Sequence, residues 1–398
     1  MSWSPIYDNR EVVTDSIRKI HQSIGSNENS FNHQGDSSLM YGQTGIAIFY
    51  GHAYQALGDD LYFTEFNNTI ERLLTLLETP GSSLNFGQGY PGIAWGLTHL
   101  AQIGLIDEPD GFFDELEPFM VRYAKDEIRK KNYDFLLGGL GYPNYLLYNI
   151  NANDSRTLLA EYTNELASIA VRKDGLIYWE QFLNDGPKRI NLGLAHGLPS
   201  IMLFLSRCYR NDINPDICME LIEGGMAFMK ENQMKHMVSI FSYSVSDDET
   251  PVNSSIRWCY GDLGIGLAFI QIGKNCGVQE WTDLGVKLGL NCSTRTREFS
   301  MIADAHLCHG TGGTAHMLNR YYHYTGIEDF KTAAITCYDL TLQKAILDKD
   351  TIGWLADKGD FGNVVFDGLL EGNTGIGLAL LASIGNTEPG WDEALLLS

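Results

Sequence analysis

The chain is short of positive charge. Across 398 residues, Lys and Arg total 28 against 50 Asp and Glu, a formal charge of −22 at pH 7. A surface so poor in cations does not grip a nucleic-acid backbone, so a nucleic-acid partner is excluded and cationic peptides are favoured. Long apolar runs are missing too. Nothing approaches the roughly 20 residues of a membrane-spanning helix, the nearest candidate being Ile376 to Ile384. Met1-Ser2-Trp3-Ser4-Pro5 has no basic stretch leading into an apolar one and does not read as a secretory signal. Cysteines number seven, an odd count confined to the second half, and none lie in Cys-x-x-Cys pairs. That usage fits a reducing compartment rather than a disulfide framework, and it lacks the usual spacing of structural zinc. A soluble, cytoplasmic protein without a transmembrane segment is expected. Cys208, Cys218, Cys276, Cys292 and Cys337 fall in or just beyond helix-like text and are expected to be inert packing.

What the chain has in plenty is glycine in a repeating turn. Gly-x-x-Gly followed by an apolar segment occurs at Gly42 to Gly45, Gly89 to Gly92 and Gly138 to Gly141. It recurs at Gly197 to Ser200, with serine in place of the second glycine, and at Gly261 to Gly264, Gly310 to Gly313 and Gly372 to Gly375. The text after each turn, such as Ile46-Ala47-Ile48-Phe49-Tyr50, is apolar on all sides and predicts a buried helix. Between turns lie amphipathic stretches at Phe63 to Leu77, Phe112 to Lys131, Thr157 to Val171, Pro215 to Asn232, Trp281 to Leu290 and Phe330 to Leu347. In the first of these Ile70, Leu73, Leu74 and Leu77 recur at helical spacing while Glu71 and Arg72 face away. Inner and outer helices alternating seven times predict an all-α fold, an α/α toroid of seven inner and seven outer helices, with an open superhelix as the alternative. Glycine is expected to supply left-handed backbone at each helix entry. Gly175 to Trp179 and Met237 to Tyr243 are strand-like and predict small hairpins or covering loops before turns four and five. No low-complexity linker interrupts the chain, so one domain over 1–398 is expected.

The turns also carry the chemistry. Immediately before each first glycine stand Tyr41, Gln88, Leu137, His196, Tyr260, His309 and Glu371, a polar and aromatic set where packing alone would select Leu or Ala. Two residues before the fifth and sixth turns stand Cys259 and Cys308. Equivalent repeat slots share one rim, so two thiolates and the His309 imidazole can converge, a donor set that suits catalytic zinc with no obvious fourth protein ligand. A buried thiol pair or another metal are the alternatives. His306 would be a competing ligand, an outer partner or a plain loop residue. His196 would exchange protons beside the metal or cap a helix, and Asp134 would orient that histidine or cap its own loop.

Ala195-His196-Gly197, Trp258-Cys259-Tyr260-Gly261 and Cys308-His309-Gly310, in that order within a sevenfold glycine repeat, resemble the lanthionine synthetase C-like family, the lanthipeptide cyclases. The resemblance covers nearly the whole chain. It implies an α/α toroid, Zn²⁺ held by Cys259, Cys308 and His309, and His196 as the acid/base residue. Tyr260 matches the family's Trp-Cys-Tyr-Gly motif and Asp134 its acidic residue before the third turn. One position departs: the family often has arginine four residues before the first zinc cysteine, where this chain has Ser255, with Arg257 the nearest arginine.

The implied reaction is addition of a peptide cysteine thiol to dehydroalanine or dehydrobutyrine, with His196 protonating the resulting enolate and Tyr260 or Arg257 stabilising it. The implied substrate is a dehydrated precursor peptide. A dehydratase and an exporter are further implied partners, through which the protein would sit peripherally at a membrane. Competing readings are a zinc-dependent thiol alkyltransferase of the prenyltransferase kind, a non-catalytic zinc-stabilised peptide-binding scaffold, and a relative that adds glutathione to dehydroamino acids. The first would want a mixed Asp, Cys and His ligand set and clustered cations, which the chain lacks.

Overall fold

The computed structural model describes residues 2–24, 35–79, 81, 83–109, 111–152, 154–182, 188–295, 302, 304–348, 351–357 and 363–398. Its helices run α1 (Arg10–Ser23), α2 (Gln43–Leu57), α3 (Asp60–Leu77), α4 (Tyr90–Gln102), α5 (Glu117–Arg129), α6 (Gly141–Tyr148) and α7 (Ser155–Ile169). They continue through α8 (Leu198–Arg210), α9 (Pro215–Glu231), α10 (Asp262–Cys276), α11 (Gln279–Ser293), α12 (Thr311–Thr325), α13 (Glu328–Gln343) and α14 (Asn373–Ile384). The chain gathers into two compact units. One comprises Met1–Ser83, Gly87–Gly111 and Met301–Ala394, with α1 to α4 and α12 to α14; the other comprises Leu84–Phe86, Phe112–Ser300 and Leu395–Ser398, with α5 to α11.

The expected alternation holds without exception among these helices. Even-numbered helices follow the glycine turns and are buried nearly all round. Most of them are apolar, as a helix with no wet face tends to be, while α12 buries His316, Asn319, Arg320 and His323 as well. Every residue of α14 is buried, and so are the first twelve of α10. Each fully buried Leu or Ile there contributes about 1.5–3 kcal/mol. Odd-numbered helices bury one stripe. In α3 that stripe is Tyr62, Phe66, Thr69 and Leu73, at i, i+4, i+7 and i+11. Of the four aliphatic positions, Leu73 is buried, Ile70 and Leu77 are half-buried on the same face, and Leu74 is exposed. Tyr62 and Phe66 extend the stripe of Ile70, Leu73 and Leu77 toward the start of the helix. The outer helix without a counterpart among the six amphipathic stretches is α1, capped by Asn9 and buried along Val13, Ser16, Ile17 and Ile20. It precedes the first turn, where turn-to-turn spacing gives no cue.

Short strands decorate the helices. In the second unit β1 (Val171–Lys173) and β2 (Leu176–Tyr178) pair antiparallel through Asp174-Gly175, both at positive φ, a turn that this dipeptide favours. This is the hairpin expected before the fourth turn. β3 (Gln181–Phe182), β4 (Lys188–Asn191) and β5 (Ser244–Val245) form a small antiparallel sheet. Met237 to Tyr243, the other strand-like text, contains no strand. Its amides are used elsewhere: Ile240 and Phe241 donate to the Asp262 carboxylate at 2.8 and 2.9 Å, and Val238 and Ser239 to Asn253. In the first unit β6 (Ile346–Asp348) pairs with β7 (Thr351–Gly353), and β8 (Leu355–Asp357) with β9 (Asn363–Val365).

The turns themselves are closed loops. In five of them the first residue after the glycine donates its amide to the carbonyl seven residues earlier, from Gln43 to Asp36, Tyr90 to Ser83, Gly139 to Asn132, Thr311 to Asp304 and Asn373 to Phe366. Left-handed backbone is not what the opening glycines supply. Gly42, Gly89, Gly197, Gly310 and Gly372 all have extended, negative φ; at these entries only Gly261, at φ 110°, is left-handed. What glycine provides is room, because the folded-back loop presses on its α-carbon: a Cβ at Gly197 would sit 2.1 Å from the Asn191 carbonyl oxygen.

Candidate functional site

Each unit carries its own polar cluster at the ends of its turns, and each cluster is held by backbone links at one repeat slot. In the first unit the residue two before the turn glycine donates to its counterpart in a neighbouring turn. Cys308 N donates to Leu370 O at 3.1 Å, Leu370 N to Met40 O at 3.0 Å, and Met40 N to Gly87 O at 3.1 Å. In the second unit Ala195 N donates to Cys259 O at 3.4 Å, and Phe135 N, one residue before that slot in its own turn, donates to Ala195 O at 3.1 Å. The slot that carries both cysteines is therefore the slot through which adjacent loops are joined.

In the second unit His196 Nδ1 meets Asp134 Oδ2 at 2.5 Å. The other carboxylate oxygen, Oδ1, accepts the amides of Leu136 and Leu137 at 2.8 and 2.9 Å. Asp134 thus caps its own loop with one oxygen and orients the imidazole with the other. Burial alone would lower the His196 pKa, but the hydrogen bond and charge of Asp134, with the charge of Cys259, outweigh it and hold the imidazole above its ordinary value. Gln181 donates to the His196 carbonyl at 2.8 Å and fixes the loop behind it. The Tyr260 ring lies 5.2 Å from the His196 ring, and its hydroxyl accepts from Asn191 Nδ2 at 3.0 Å. Gly193 permits this approach, since a Cβ there would stand 2.3 Å from the Cys259 carbonyl oxygen and 2.8 Å from the Tyr260 ring. Cys259 is buried, and the Trp258 indole beside it is anchored on the Leu395 carbonyl at 2.7 Å. Ser255 is fully buried, with its carbonyl oxygen against Gly261, whereas Arg257 is half-buried in the same loop.

In the first unit the donor atoms of Cys308, His309 and Glu371 lie within 4.8 Å of one another. Among the described residues they form a cluster that could hold a metal ion, and a thiolate, an imidazole and a carboxylate suit Zn²⁺. His309 lies between two carboxylates. Nδ1 is 3.4 Å from Asp304 Oδ2, and Nε2 is 3.1 Å from Glu371 Oε1. Such an arrangement fits a metal-binding histidine, which keeps one nitrogen for the ion and gives the other N–H to a carboxylate. Asp304 is buried and would be pushed up by that burial, but His306 and His309 more than offset it and hold the carboxyl well below the usual range. His306 is fully buried and faces the same carboxylate, with Nδ1 3.5 Å from Asp304 Oδ2.

Neither Asp304 nor Glu371 is among the ligands expected from sequence. Glu371 had a visible signal, since it fills the slot immediately before the turn glycine that His196 and His309 also fill. Asp304 had a weaker one, six residues before its glycine, where Asp36 and Asn191 stand in their turns. No disulfide joins the cysteines among the described residues, and burial pushes Cys218, Cys276 and Cys337 up to about 12 and Cys208 and Cys292 well above the ordinary value. That matches the inert packing expected of those five. Among the described residues no helix is long and apolar enough to cross a membrane.

A family model described as lanthionine synthetase C-like protein matches residues 33–396. Among solved structures the chain is similar to nisin cyclase, with a TM-score of 0.72 at 20% identity over 98% of this chain and 97% of that one. The chain therefore has the all-α, α/α-toroid fold. Weaker likenesses are to a sugar epimerase from a ruminal bacterium, at TM-score 0.46 and 9% identity over 92% of this chain and 98% of that one, and to a cellobiose 2-epimerase from Bacillus thermoamylovorans, at TM-score 0.46 and 8% identity over 92% and 98%. No curated protein matches the sequence.

Proposed function

Because the chain belongs to the lanthionine synthetase C-like family, we propose that it is a zinc-dependent lanthipeptide cyclase. It adds peptide cysteine thiols to dehydroalanine or dehydrobutyrine and closes (methyl)lanthionine thioether rings. The family match runs through segments of both compact units, which supports treating 1–398 as one domain. Cys259, Cys308 and His309 would hold zinc, which when bound acidifies a substrate thiol, ordinary pKa about 8.5, so that it reacts as thiolate at neutral pH.

The observation that carries this reading is the His196–Asp134 pair, a carboxylate-held imidazole beside the Cys259 loop. In the addition, sulfur bonds to the β-carbon while the π electrons move to the α-carbon and the carbonyl oxygen. The α-carbon then needs a proton. With Nδ1 committed to Asp134, His196 delivers that proton from Nε2, and the Asp134 charge keeps the imidazole protonated until it is used. Asn191 sets the orientation of the Tyr260 phenol, which with Arg257 would stabilise the enolate oxygen. The substrate is a dehydrated precursor peptide in the cytoplasm, whose cationic members the −22 charge would attract. A dehydratase and an exporter are its proposed partners.

Ring closure leaves mass unchanged, so the test counts thiols. Incubation of a dehydrated, cysteine-containing peptide with the zinc-loaded protein should remove sites for thiol alkylation without a mass shift. Thiols that all stay alkylatable would overturn the proposal, and glutathione adducts in their place would assign the chain to intermolecular addition instead.

A further inference from the structure

The cluster in the first unit holds a carboxylate that the two-cysteine, one-histidine ligand set does not use. His309 has a carboxylate at each ring nitrogen, and a ring bound to a metal needs only one of them as outer hydrogen-bond partner. Asp304 has the character of that partner. It is buried, its Oδ1 accepts the His306 amide at 3.2 Å, its backbone carbonyl closes the loop on Thr311, and it stands outside the donor cluster. Nδ1–H then belongs to Asp304, and the Nε2 lone pair faces Glu371 and Cys308.

Glu371 differs on each count. Its side chain is 20% exposed, and its carboxylate lies inside the cluster with Cys308. The residue before it, Leu370, accepts the Cys308 amide at 3.1 Å, so the two loops are held side by side where the donors meet. Glu371 Oε1 is 3.1 Å from His309 Nε2. Two donors bound at about 2.0–2.1 Å to one tetrahedral zinc stand about 3.3 Å apart, close to that separation.

We propose that Glu371 is a metal ligand of the substrate-free protein and is the ligand that an incoming thiol displaces. The inference rests on the zinc-dependent reading above. In the exchange one metal–oxygen bond breaks, one metal–sulfur bond forms, and the thiol proton passes to solvent. The partial exposure of Glu371 gives the released carboxylate water to turn into. Asp304 remains in place throughout as the positioning residue for His309.

The test uses the full chain loaded with Co²⁺ and titrated with β-mercaptoethanol, read by visible absorption, with a competing chelator to measure metal affinity. Glu371→Gln should weaken Co²⁺ binding by at least the roughly 10–100-fold that loss of an outer partner costs, yet bind the thiol several-fold more tightly, because no carboxylate has to leave. Glu371→Ala guards against coordination through the Gln amide oxygen, and circular dichroism confirms that both variants fold. Asp304→Asn should weaken metal binding without tightening thiol binding. Unchanged metal affinity in both Glu371 variants, or thiol binding weakened along with metal, would overturn the displaceable-ligand role. A wild-type protein that takes up no Co²⁺ with sulfur-to-metal charge transfer would instead overturn the zinc reading itself.

Discussion

His196 and His309 occupy the same slot, immediately before a turn glycine, yet the two units give them different surroundings. In the second unit the residue before His196 is Ala195, and a single carboxylate, Asp134, reaches one ring nitrogen from a different loop. In the first unit the residue before His309 is Cys308, and carboxylates reach both nitrogens, Asp304 from its own loop and Glu371 from a neighbouring one. In the reading proposed above, one scaffold position would serve as a proton donor or as a metal ligand according to the neighbours it is given. With no cysteine next to it in sequence and one carboxylate behind it, an imidazole keeps a nitrogen for a substrate. With a thiolate adjacent and a second anion in front, it suits a cation.

The most severe way to break this contrast is to remove a sulfur from either unit. Cys308→Ala and Cys259→Ala are both expected to abolish stoichiometric zinc and cyclisation, measured by metal analysis and thiol alkylation. One zinc per chain in Cys259→Ala would show that the first unit's donors suffice without the second. A smaller effect should separate the two histidines. His196→Ala is expected to keep its zinc while ring closure slows by about 10²–10⁴-fold, and a wild-type rate would remove His196 from the chemistry. Asp134→Asn should do least. Loss of the anion lowers the His196 pKa, so the imidazolium that donates the proton is depleted at a lower pH. The alkaline limb of the rate profile therefore moves toward acid, and at any pH on that limb the rate falls about tenfold if the limb moves by a full pH unit. An unmoved limb in a rate–pH profile would leave Asp134 as a loop cap only.

Much of this arrangement was legible because the loop geometry demands particular residue types. A glycine must stand where a folded-back carbonyl presses on the helix entry, so the turns marked seven buried helices and the six outer ones between them. The cysteine slot was legible for a related reason, since it is the position whose backbone joins neighbouring loops. Other features depended on partners distant in sequence. Met237 to Tyr243 reads as a strand until Asp262 takes two of its amides. In α3, Leu74 fits the aliphatic spacing but lies off the face that Tyr62, Phe66 and Leu73 bury, and it is exposed. The departure at Ser255 acquires a structural context as well: that residue is fully buried with its carbonyl against Gly261, while Arg257 stands half-buried further along the loop.

The closure seen in five of the turns, an amide bonded to the carbonyl seven residues back, also bears on how the chain can change over evolutionary time. First glycines stand at 42, 89, 138, 197, 261, 310 and 372, so the repeats differ in length. The closure keeps one span in the five turns where it forms, from the first to the seventh. Length variation is thereby steered into the links between helices, where hairpins such as β1–β2 have room to grow. Inserting one residue inside a turn would shift the cysteine or histidine off its slot. The links can accordingly diversify while the residues in the turn slots keep their register.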